Sequence, residues 1–545
     1  MDKTVVPGAK TIDQEIEDAK DLAIQRCVAA GGSKKTIEVV EIDVVPVSYV
    51  TNGATRLLVR VVGDLLEGYE ESSDDTPEHL LNGETFSKSD LVSIIPNGVK
   101  ENAISKASCY DVVEQVDLKN YRPRIEGDLW YLSETDLQFL LDGAGVLGVG
   151  SCGEPYPSYL ACLLALRNGE DITIMRQDTL SDDAVILVAG FMVSLHPTPM
   201  MTSLTNIGVT KRIPRTNTRH KRVRRPSLPH PHLTNTSHRV TDAIRGVLAS
   251  TNLPSFTAVI PNEIGGLNAF EALLAGLRLQ KSTLDTDLVA RAYPMVWQTV
   301  RCLDGIPIVP SAVADGCSNV EVFENSKDNY ETEDLMRKAC ERLGNLSGMC
   351  VNPVYGKEAR TLPANSFSHA WSIGRSIALS RSLKQDPVTR LLKEENGVLL
   401  FSGKIISVTR HVAEGFTRGS VLLDSAWTSS SAPTQSLFVE FENENLSAVL
   451  KIADQEDRVL ACCPDLITFL DVANGAPLGI ADYKYGLRVS VIALRAPPMW
   501  TTERGLEMGG PRGFKLEMDY KGVSVGAYEK PKSVWNMFGE SPVSA

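Results

Sequence analysis

A cluster of glycines between two amphipathic helical runs constrains this chain more than any other feature of its sequence. Five glycines lie between Gly143 and Gly153, after the run Thr135–Leu141 and before a second run, Ser158–Arg167. Glycine adopts positive φ angles at little cost and lets backbone amides approach a bound group. The cluster would also lie at the positive N-terminal end of the second helix. The pattern therefore predicts either a ligand-binding loop or a tight turn between two helices.

This loop supplies the first candidate substrate-binding residues, which are Gly148, Gly150, Ser151, Cys152, Gly153 and Glu154. No Gly-Lys-Ser or Gly-Lys-Thr follows, so the spacing matches neither a phosphate loop nor a dinucleotide-binding fingerprint. Cys152 would lie at a helix N-terminus, where a thiolate is favoured. A lone cysteine is more often a packing residue, so a catalytic thiol is the less favoured interpretation.

Composition and charge narrow the class of protein. A chain of 545 residues is too long for a single core and predicts roughly three or four domains. Its net charge of −13 argues against nucleic acid and membrane surfaces as partners, because both are anionic. No apolar run approaches the roughly 18 residues of a membrane span, and the ten cysteines are scattered rather than paired. We therefore expect a cytoplasmic protein with reduced thiols.

The first 68 residues predict a small α/β unit. Thr11–Ala30 has the periodicity of an amphipathic helix, and Thr36–Val47 and Thr55–Val62 are strand-like. The segment Val45–Asp64 resembles the end of the hydantoinase A/oxoprolinase subunit. The ATP-binding body of that family lies before this point, so the resemblance implies a C-terminal remnant without an ATP site. It also implies a hydantoinase-type partner subunit.

Residues 69–126 are polar and weakly periodic, which favours a linker, and an α/β domain is expected over 127–325. The strand-like runs of this domain are Ile172–Arg176, Ala184–Phe191 and Ser255–Ile260. In parallel sheets, the loops after the strand carboxyl ends form the ligand crevice. Glu263 and the pair Asp285 and Asp287 follow such strands or turns. We therefore expect these carboxylates at one edge of the sheet.

The second half predicts a different architecture. Helices are expected at Glu331–Leu343 and Ala370–Leu383, and alternating apolar runs separated by glycine and proline turns dominate from Val398 onward. This favours a β-rich domain over 326–525 followed by a tail over 526–545. Asp465 and Glu444 lie in apolar surroundings, and such residues are more often structural carboxylates than catalysts.

An ordered set of motifs runs through both halves. The motifs are Gly143–Tyr159, Pro261–Ala269, Asp285–Pro294, Phe401–Ile405, Asn443–Leu446, Cys463–Ile467, Tyr485–Val489 and Gly510–Phe514. Together they resemble the S-methyl thiohydantoin desulfurase family over roughly Gly127–Tyr520. The resemblance implies an α/β N-terminal domain, a β-rich C-terminal domain and hydrolytic chemistry on a five-membered hydantoin or thiohydantoin ring.

The sequence departs from this family in three places. Ser151 and Cys152 replace two glycines of the loop, and Ala290 replaces a glycine before Arg291. The largest departure is Val193–Thr241, which contains no acidic residue and holds five of the eight histidines. It could be a nuclear-localisation or nucleic-acid patch, a histidine metal cluster, or a disordered or artefactual insertion. We favour the last interpretation.

Opening or desulfurising a cyclic amide requires an activated water and a group that stabilises the developing negative charge. The predicted catalytic residues are Glu263, Asp285, Asp287 and Arg291, and the predicted substrate-binding residues also include Gly265, Gly266 and Asn268. The carboxylates could act as a general base, or the aspartate pair could share a divalent metal of unknown identity. The alternatives are a helix N-cap or a solvent-facing turn for the aspartates and an internal ion pair for Arg291.

The predicted function is a hydrolase that acts on hydantoin- or thiohydantoin-type cyclic amides and forms a homo-oligomer. The alternative is a non-catalytic partner, or an inactive remnant of a hydantoinase/oxoprolinase fusion.

Overall fold

The computed structural model describes residues 2–5, 14, 16–17, 20–21, 23–25, 38–46, 55–62, 116–151, 153, 155–194, 235–425 and 435–539. Several sequence predictions fall outside these ranges. They are Cys152, Glu154, most of the predicted linker and residues 195–234 of the predicted insertion.

Three sheets organise the described residues. A three-stranded antiparallel sheet contains β1 (Asp2–Val5), β3 (Thr55–Val62) and β2 (Glu38–Pro46) in that order. Helical backbone at residues 14–25, where described, lies within the predicted helix Thr11–Ala30. The other two sheets carry the rest of the fold.

A mixed sheet of ten strands forms the first large unit. The strands are β4 (Arg124–Glu126), β5 (Leu129–Tyr131), β6 (Thr173–Met175), β7 (Val185–Val193), β8 (Ala258–Pro261), β9 (Ser282–Leu284), β10 (Ser311–Ala314), β11 (Val320–Phe323), β12 (Leu346–Cys350) and β13 (Val354–Tyr355). Their order is β11-β10-β12-β7-β8-β9-β6-β5-β4, with β13 also paired to β7. The four central strands β7, β8, β9 and β6 are parallel. β7 is buried except at its two end residues, as expected for the continuous apolar run of a parallel strand.

Helices cover this sheet and connect it to the second large sheet. They are α1 (Glu134–Leu147), α2 (Tyr156–Arg167), α3 (Asn235–Thr251), α4 (Gly266–Leu279), α5 (Val300–Leu303), α6 (Asn329–Arg342), α7 (Gly356–Ala359), α8 (Ser366–Ser382), α9 (Pro387–Glu394), α10 (Glu503–Gly509) and α11 (Val534–Phe538). Two short 3-10 helices span Pro498–Thr501 and Pro511–Phe514. None of these helices combines the length and apolar composition needed to cross a bilayer.

Helix α1 extends further than the sequence predicts. It begins at a capping box formed by Ser133 and Asp136 and continues through Gly143 to Leu147. A Cβ on Gly143 would lie only 1.7 Å from the carbonyl oxygen of Ala370 in α8. The first glycine of the cluster therefore allows two helices to touch and is not part of a loop.

The second large sheet has eight strands and is entirely antiparallel. They are β14 (Val398–Ala413), β15 (Phe416–Ser425), β16 (Gln435–Glu442), β17 (Glu444–Ile452), β18 (Arg458–Cys462), β19 (Leu466–Asp471), β20 (Pro477–Leu478) and β21 (Arg488–Leu494). Their order is β18-β17-β16-β15-β14-β21-β19-β20. The predicted fold class, α/β followed by a β-rich C-terminal region, is therefore confirmed.

The mixed sheet continues beyond residue 325, where the sequence predicts the boundary between the two large domains. Strands β12 and β13 follow residue 325 yet pair with the mixed sheet, so that sheet runs to Tyr355. Residues 526–539, which belong to the predicted tail, pack onto the first unit through α11. The Trp535 indole there donates a hydrogen bond to the Gly127 carbonyl at 3.1 Å.

Candidate active site

A small cavity of about 70 Å³ lies where the two large sheets meet. One wall is formed by the carboxyl ends of the parallel strands β7 and β8 and by the first turn of α4. The opposite wall is the hairpin between β16 and β17. Its polar lining residues are Ser151, Asn262, Glu263, Asn268, Arg337, Asn443 and Glu444. Ligands bind at the carboxyl ends of strands in open parallel sheets, so the cavity has the expected position for a site.

Glu263 is the predicted catalytic residue that the structure places in this cavity. It follows β8, as the sequence indicates, and is 6% exposed. One carboxylate oxygen accepts a hydrogen bond from the Asn268 amide and the other from the Tyr293 backbone N–H, both at 2.9 Å. Burial raises the pKa of Glu263 to about 7, against the lowering effect of these hydrogen bonds. A carboxyl group with this pKa can exchange protons near neutral pH.

Asn268 has a fixed orientation. Its Oδ1 accepts a hydrogen bond from the Phe191 N–H at 2.8 Å, so its amide nitrogen is directed toward Glu263. Since Phe191 is in β7 and Asn268 is in α4, this side chain joins a strand and a helix at the cavity wall. The predicted substrate-binding residue Asn268 thus positions Glu263 through one of its own amide hydrogens.

Glu444 is the second carboxyl group of the cavity, although its sequence surroundings favour a structural carboxylate. It begins β17 after a tight turn at Asn443, which has a φ of 56°, and it is 2% exposed. Ser151 hydrogen-bonds its carboxyl group, while its Oε2 has no partner among the described residues. Burial, and then the nearby Glu263, raise the pKa of Glu444 well above its usual value. Two carboxyl groups from different sheets therefore share one small cavity.

The glycines after α1 allow several backbones to meet at this point. A Cβ on Gly150, whose φ is 87°, would lie 2.6 Å from the Asn445 side-chain nitrogen. A Cβ on Gly265 would lie 2.9 Å from the Cα of Gly148, and one on Gly266 would lie 2.9 Å from the Gly153 carbonyl oxygen. These glycines let the segment pack against both α4 and the antiparallel sheet.

Backbone hydrogen bonds fix the same segment to the antiparallel sheet. The Asn445 N–H donates to the Val149 carbonyl at 2.8 Å, and the Ile480 N–H donates to the Gly150 carbonyl at 2.9 Å. Ser151 and Gly153 line the cavity beside these bonds. The antiparallel sheet thus holds in place the segment that borders the site.

Asp285 and Asp287 follow β9 as predicted but do not line the small cavity. Asp287 is fully buried and accepts hydrogen bonds from the Ile264 N–H at 2.9 Å, the Ala290 N–H at 2.8 Å and the Ser366 hydroxyl at 2.7 Å. Because Ile264 directly follows Glu263, Asp287 fixes the turn that carries the cavity carboxylate.

Asp285 helps to hold two helices together. Its carboxylate accepts hydrogen bonds from the backbone N–H and the hydroxyl of Ser368 in α8, at 3.0 and 2.5 Å. The same hydroxyl accepts the Val534 N–H at 2.9 Å, which ties α11 to α8. Among the residues described, no group of three or more His, Cys, Asp or Glu side chains is suited to a metal ion.

Arg291 is a buried cation behind the cavity. It is 0% exposed, and its guanidinium donates to the carbonyl oxygens of Ala292 and Pro464 and lies 4.1 Å from the centre of the Tyr293 ring. Its charge lowers the pKa of both Glu263 and Glu444, opposing the effect of burial. The Arg291 guanidinium therefore donates its hydrogen bonds to backbone carbonyl oxygens. It influences the two cavity glutamates through its charge, without a hydrogen bond to either.

The structure contains a second, larger cavity of about 460 Å³. Ile264, the residue after Glu263, is one of the residues that line it. It contains His369, whose Nε2 lies 2.7 Å from the Glu395 carboxylate. Residues 527–531 form part of its wall, anchored by a hydrogen bond from the Asn365 amide to the Pro531 carbonyl at 2.7 Å. His369, Glu395 and residues 527–531 carry no sequence signal of a shared site, because they come from separate parts of the chain.

Comparison with known proteins agrees with this architecture. One similar solved structure is an X-ray crystal structure of a protein from Chromobacterium violaceum. It is 18% identical, has a TM-score of 0.54, and the match covers 72% of this chain and 100% of that chain. At this identity the likeness shows the fold alone. No curated protein matched the chain.

Two family models match consecutive parts of the chain. The S-Me-THD-like N-terminal domain matches residues 135–325, and the S-Me-THD-like C-terminal domain matches residues 327–523. Neither match extends to residues 1–68, so the resemblance of that segment to hydantoinase A/oxoprolinase stays a prediction. The two matches together span most of the chain, and the protein therefore belongs to the S-Me-THD-like family.

Proposed function

We propose that this protein hydrolyses the carbon–sulfur bond of an S-methyl thiohydantoin-type ring in the cavity that contains Glu263. The desulfurase-type family supports this class of substrate. The observation that carries the proposal is Glu263 itself, a buried carboxylate with a pKa of about 7 at the carboxyl end of a parallel strand. Such a group is suited to removing a proton from water near neutral pH.

The cavity supports a small substrate. Its volume of about 70 Å³ is well below the several hundred Å³ of a site for a drug-sized ligand. A compact five-membered ring suits such a volume better than a nucleotide cofactor. Tyr293 also lines the cavity, and its ring stacks on the Phe514 ring with 6.1 Å between their centres.

In the proposed reaction Glu263 takes a proton from water as the water oxygen adds to the ring carbon that carries sulfur. Asn268 and the Tyr293 N–H hold the carboxylate in the orientation required for this transfer. The buried charge of Arg291 opposes the effect of burial and keeps part of the Glu263 population ionised. Asp287 and Asp285 contribute by holding the turn and the helices behind the cavity.

A divalent metal and a hydantoinase-type partner subunit are further parts of the proposal. Turnover before and after dialysis against a chelator tests the metal. Size-exclusion chromatography tests the homo-oligomer, and its repetition with a hydantoinase subunit tests the partner.

The proposal is tested by incubating the purified full-length protein with S-methyl thiohydantoin and measuring methanethiol by gas chromatography and hydantoin by its ultraviolet absorbance. We expect turnover in the wild type and a loss of about 10²- to 10⁴-fold in kcat for Glu263→Gln, the usual contribution of a general base. Glu440→Gln serves as a control, because this carboxylate accepts a bond from Ser447 and does not line the cavity.

Two results would count against the proposal. Full activity in Glu263→Gln together with loss of activity in His369→Ala would assign the reaction to the larger cavity. No turnover by the wild type with any added divalent metal would favour the non-catalytic alternative.

A further inference from the structure

We propose that Glu444, supplied by the antiparallel sheet, is the general acid that protonates the departing sulfur. This inference rests on the proposed function and concerns the second half of the same reaction. It assigns one catalytic group to each of the two large sheets. A chain containing only the α/β part of the site would then lack the acid.

The geometry places two carboxyl groups on the wall of one small cavity. Glu263 and Glu444 both line the cavity, and both are more than nine-tenths buried. Two buried carboxyl groups that interact do not both ionise near neutral pH, because the second negative charge is opposed by the first. The pair therefore holds one proton that is available for transfer.

Hydrogen bonding indicates which residue holds that proton. Glu263 accepts one bond from an amide and one from a backbone N–H, and such bonds stabilise the ionised form. Ser151 hydrogen-bonds the carboxyl group of Glu444. The Oε2 atom of Glu444 has no partner among the described residues. Arg291 and the neighbouring Glu442 also act on the Glu444 carboxyl group. Glu442 is itself paired with Arg418 at 2.6 Å. The proton therefore belongs on Glu444.

The reaction is balanced with these two groups. Water adds to the ring carbon that carries sulfur, and Glu263 takes one of its protons. The electron pair of the carbon–nitrogen double bond moves to the ring nitrogen, which then takes that proton from Glu263. The carbon–sulfur bond breaks with its electron pair on sulfur, and sulfur takes the proton of Glu444. The hydroxyl proton of the intermediate returns to Glu444 as the carbonyl forms, giving hydantoin and methanethiol.

The leaving group provides the test. The full-length wild type, Glu444→Gln and the control Glu440→Gln are compared on S-methyl and S-(4-nitrophenyl) thiohydantoin. Methanethiolate is a strong base and needs an acid, whereas 4-nitrothiophenolate leaves without one. We expect Glu444→Gln to lose about 10²-fold or more in kcat on the S-methyl substrate and only a few-fold on the nitrophenyl substrate. The control should match the wild type on both.

A pH profile gives a second readout that a structural role would not produce. An acid must be protonated to act, so kcat on the S-methyl substrate should fall at alkaline pH in the wild type. This fall should be absent in Glu444→Gln, and Glu444→Asp should restore part of the rate. Equal losses on both substrates by a folded Glu444→Gln, or an unchanged alkaline limb, would overturn the inference while leaving the proposed function intact. Absence of wild-type turnover would reject both.

Discussion

The hydrogen bond from Asn268 to Glu263 allows the pH dependence of activity to be predicted. In Asn268→Leu, a variant of similar volume, Glu263 loses the bond that Oε1 accepts at 2.9 Å. A hydrogen bond to a charged group contributes about 1.5–3 kcal/mol. At about 1.4 kcal/mol per unit, its loss raises the pKa of Glu263 by roughly one to two units from its value of about 7.

The sign of the expected change follows from the role of the base. Glu263 must be ionised to accept a proton, so activity rises with pH through its pKa. A higher pKa moves this acid limb of kcat/KM toward alkaline pH by the same one to two units, while the rate on the plateau changes less. The assay is methanethiol release measured from acidic to alkaline pH.

A matched control separates this effect from general damage. Asn352→Leu removes an amide that donates to the Pro307 carbonyl at 3.2 Å, and Asn352 lines neither cavity. We expect its acid limb to coincide with that of the wild type. An acid limb that does not move in a folded Asn268→Leu variant would refute the assignment of Glu263 as the base.

Three further predictions concern stability, and each is measured by thermal or urea unfolding. Gly143→Ala should destabilise the fold by about 3 kcal/mol or more, because the added methyl group meets the Ala370 carbonyl oxygen. Ala290→Gly should stabilise it by about 0.5–1 kcal/mol, since Ala290 has a φ of 63° and the strain removed exceeds the entropy cost of glycine. Burial raises the pKa of Glu271 to about 7, so its ionisation opposes folding as pH rises from about 4 to 7. Glu271→Gln should therefore raise Tm more at pH 8 than at pH 5, and an equal change at both would contradict the linkage.

The position of Glu263 at the end of a buried strand could be predicted from the sequence, because it depends only on local patterns. A continuous apolar run predicts the buried strand that precedes it, and the carboxyl end of a parallel strand is where ligands bind. The same argument predicts that Asp285 and Asp287 follow a strand, as they do in the structure. It could not show that their oxygens are occupied by Ser368, Ser366 and backbone N–H groups, because those partners come from later in the chain.

The pairing of Glu444 with Glu263 in one cavity could not be predicted from the sequence. The burial of Glu444 was recognised, but its neighbour in the cavity comes from a different sheet, and pairings of that kind depend on tertiary packing. The Asn443–Leu446 motif was the available signal. The glycine cluster predicts a loop that includes Gly143, and this prediction is wrong, because Gly143 lies inside a helix and in close contact with α8.

The central claim is that the small cavity between the two large sheets binds the reacting ring. A crystal structure of the full-length protein with hydantoin tests it most directly. We expect the ring to lie between the Glu263 and Glu444 carboxyl groups, within hydrogen-bonding distance of at least one of them. Hydantoin bound beside His369 and Glu395 in the larger cavity, with the small cavity filled only by water, would contradict it.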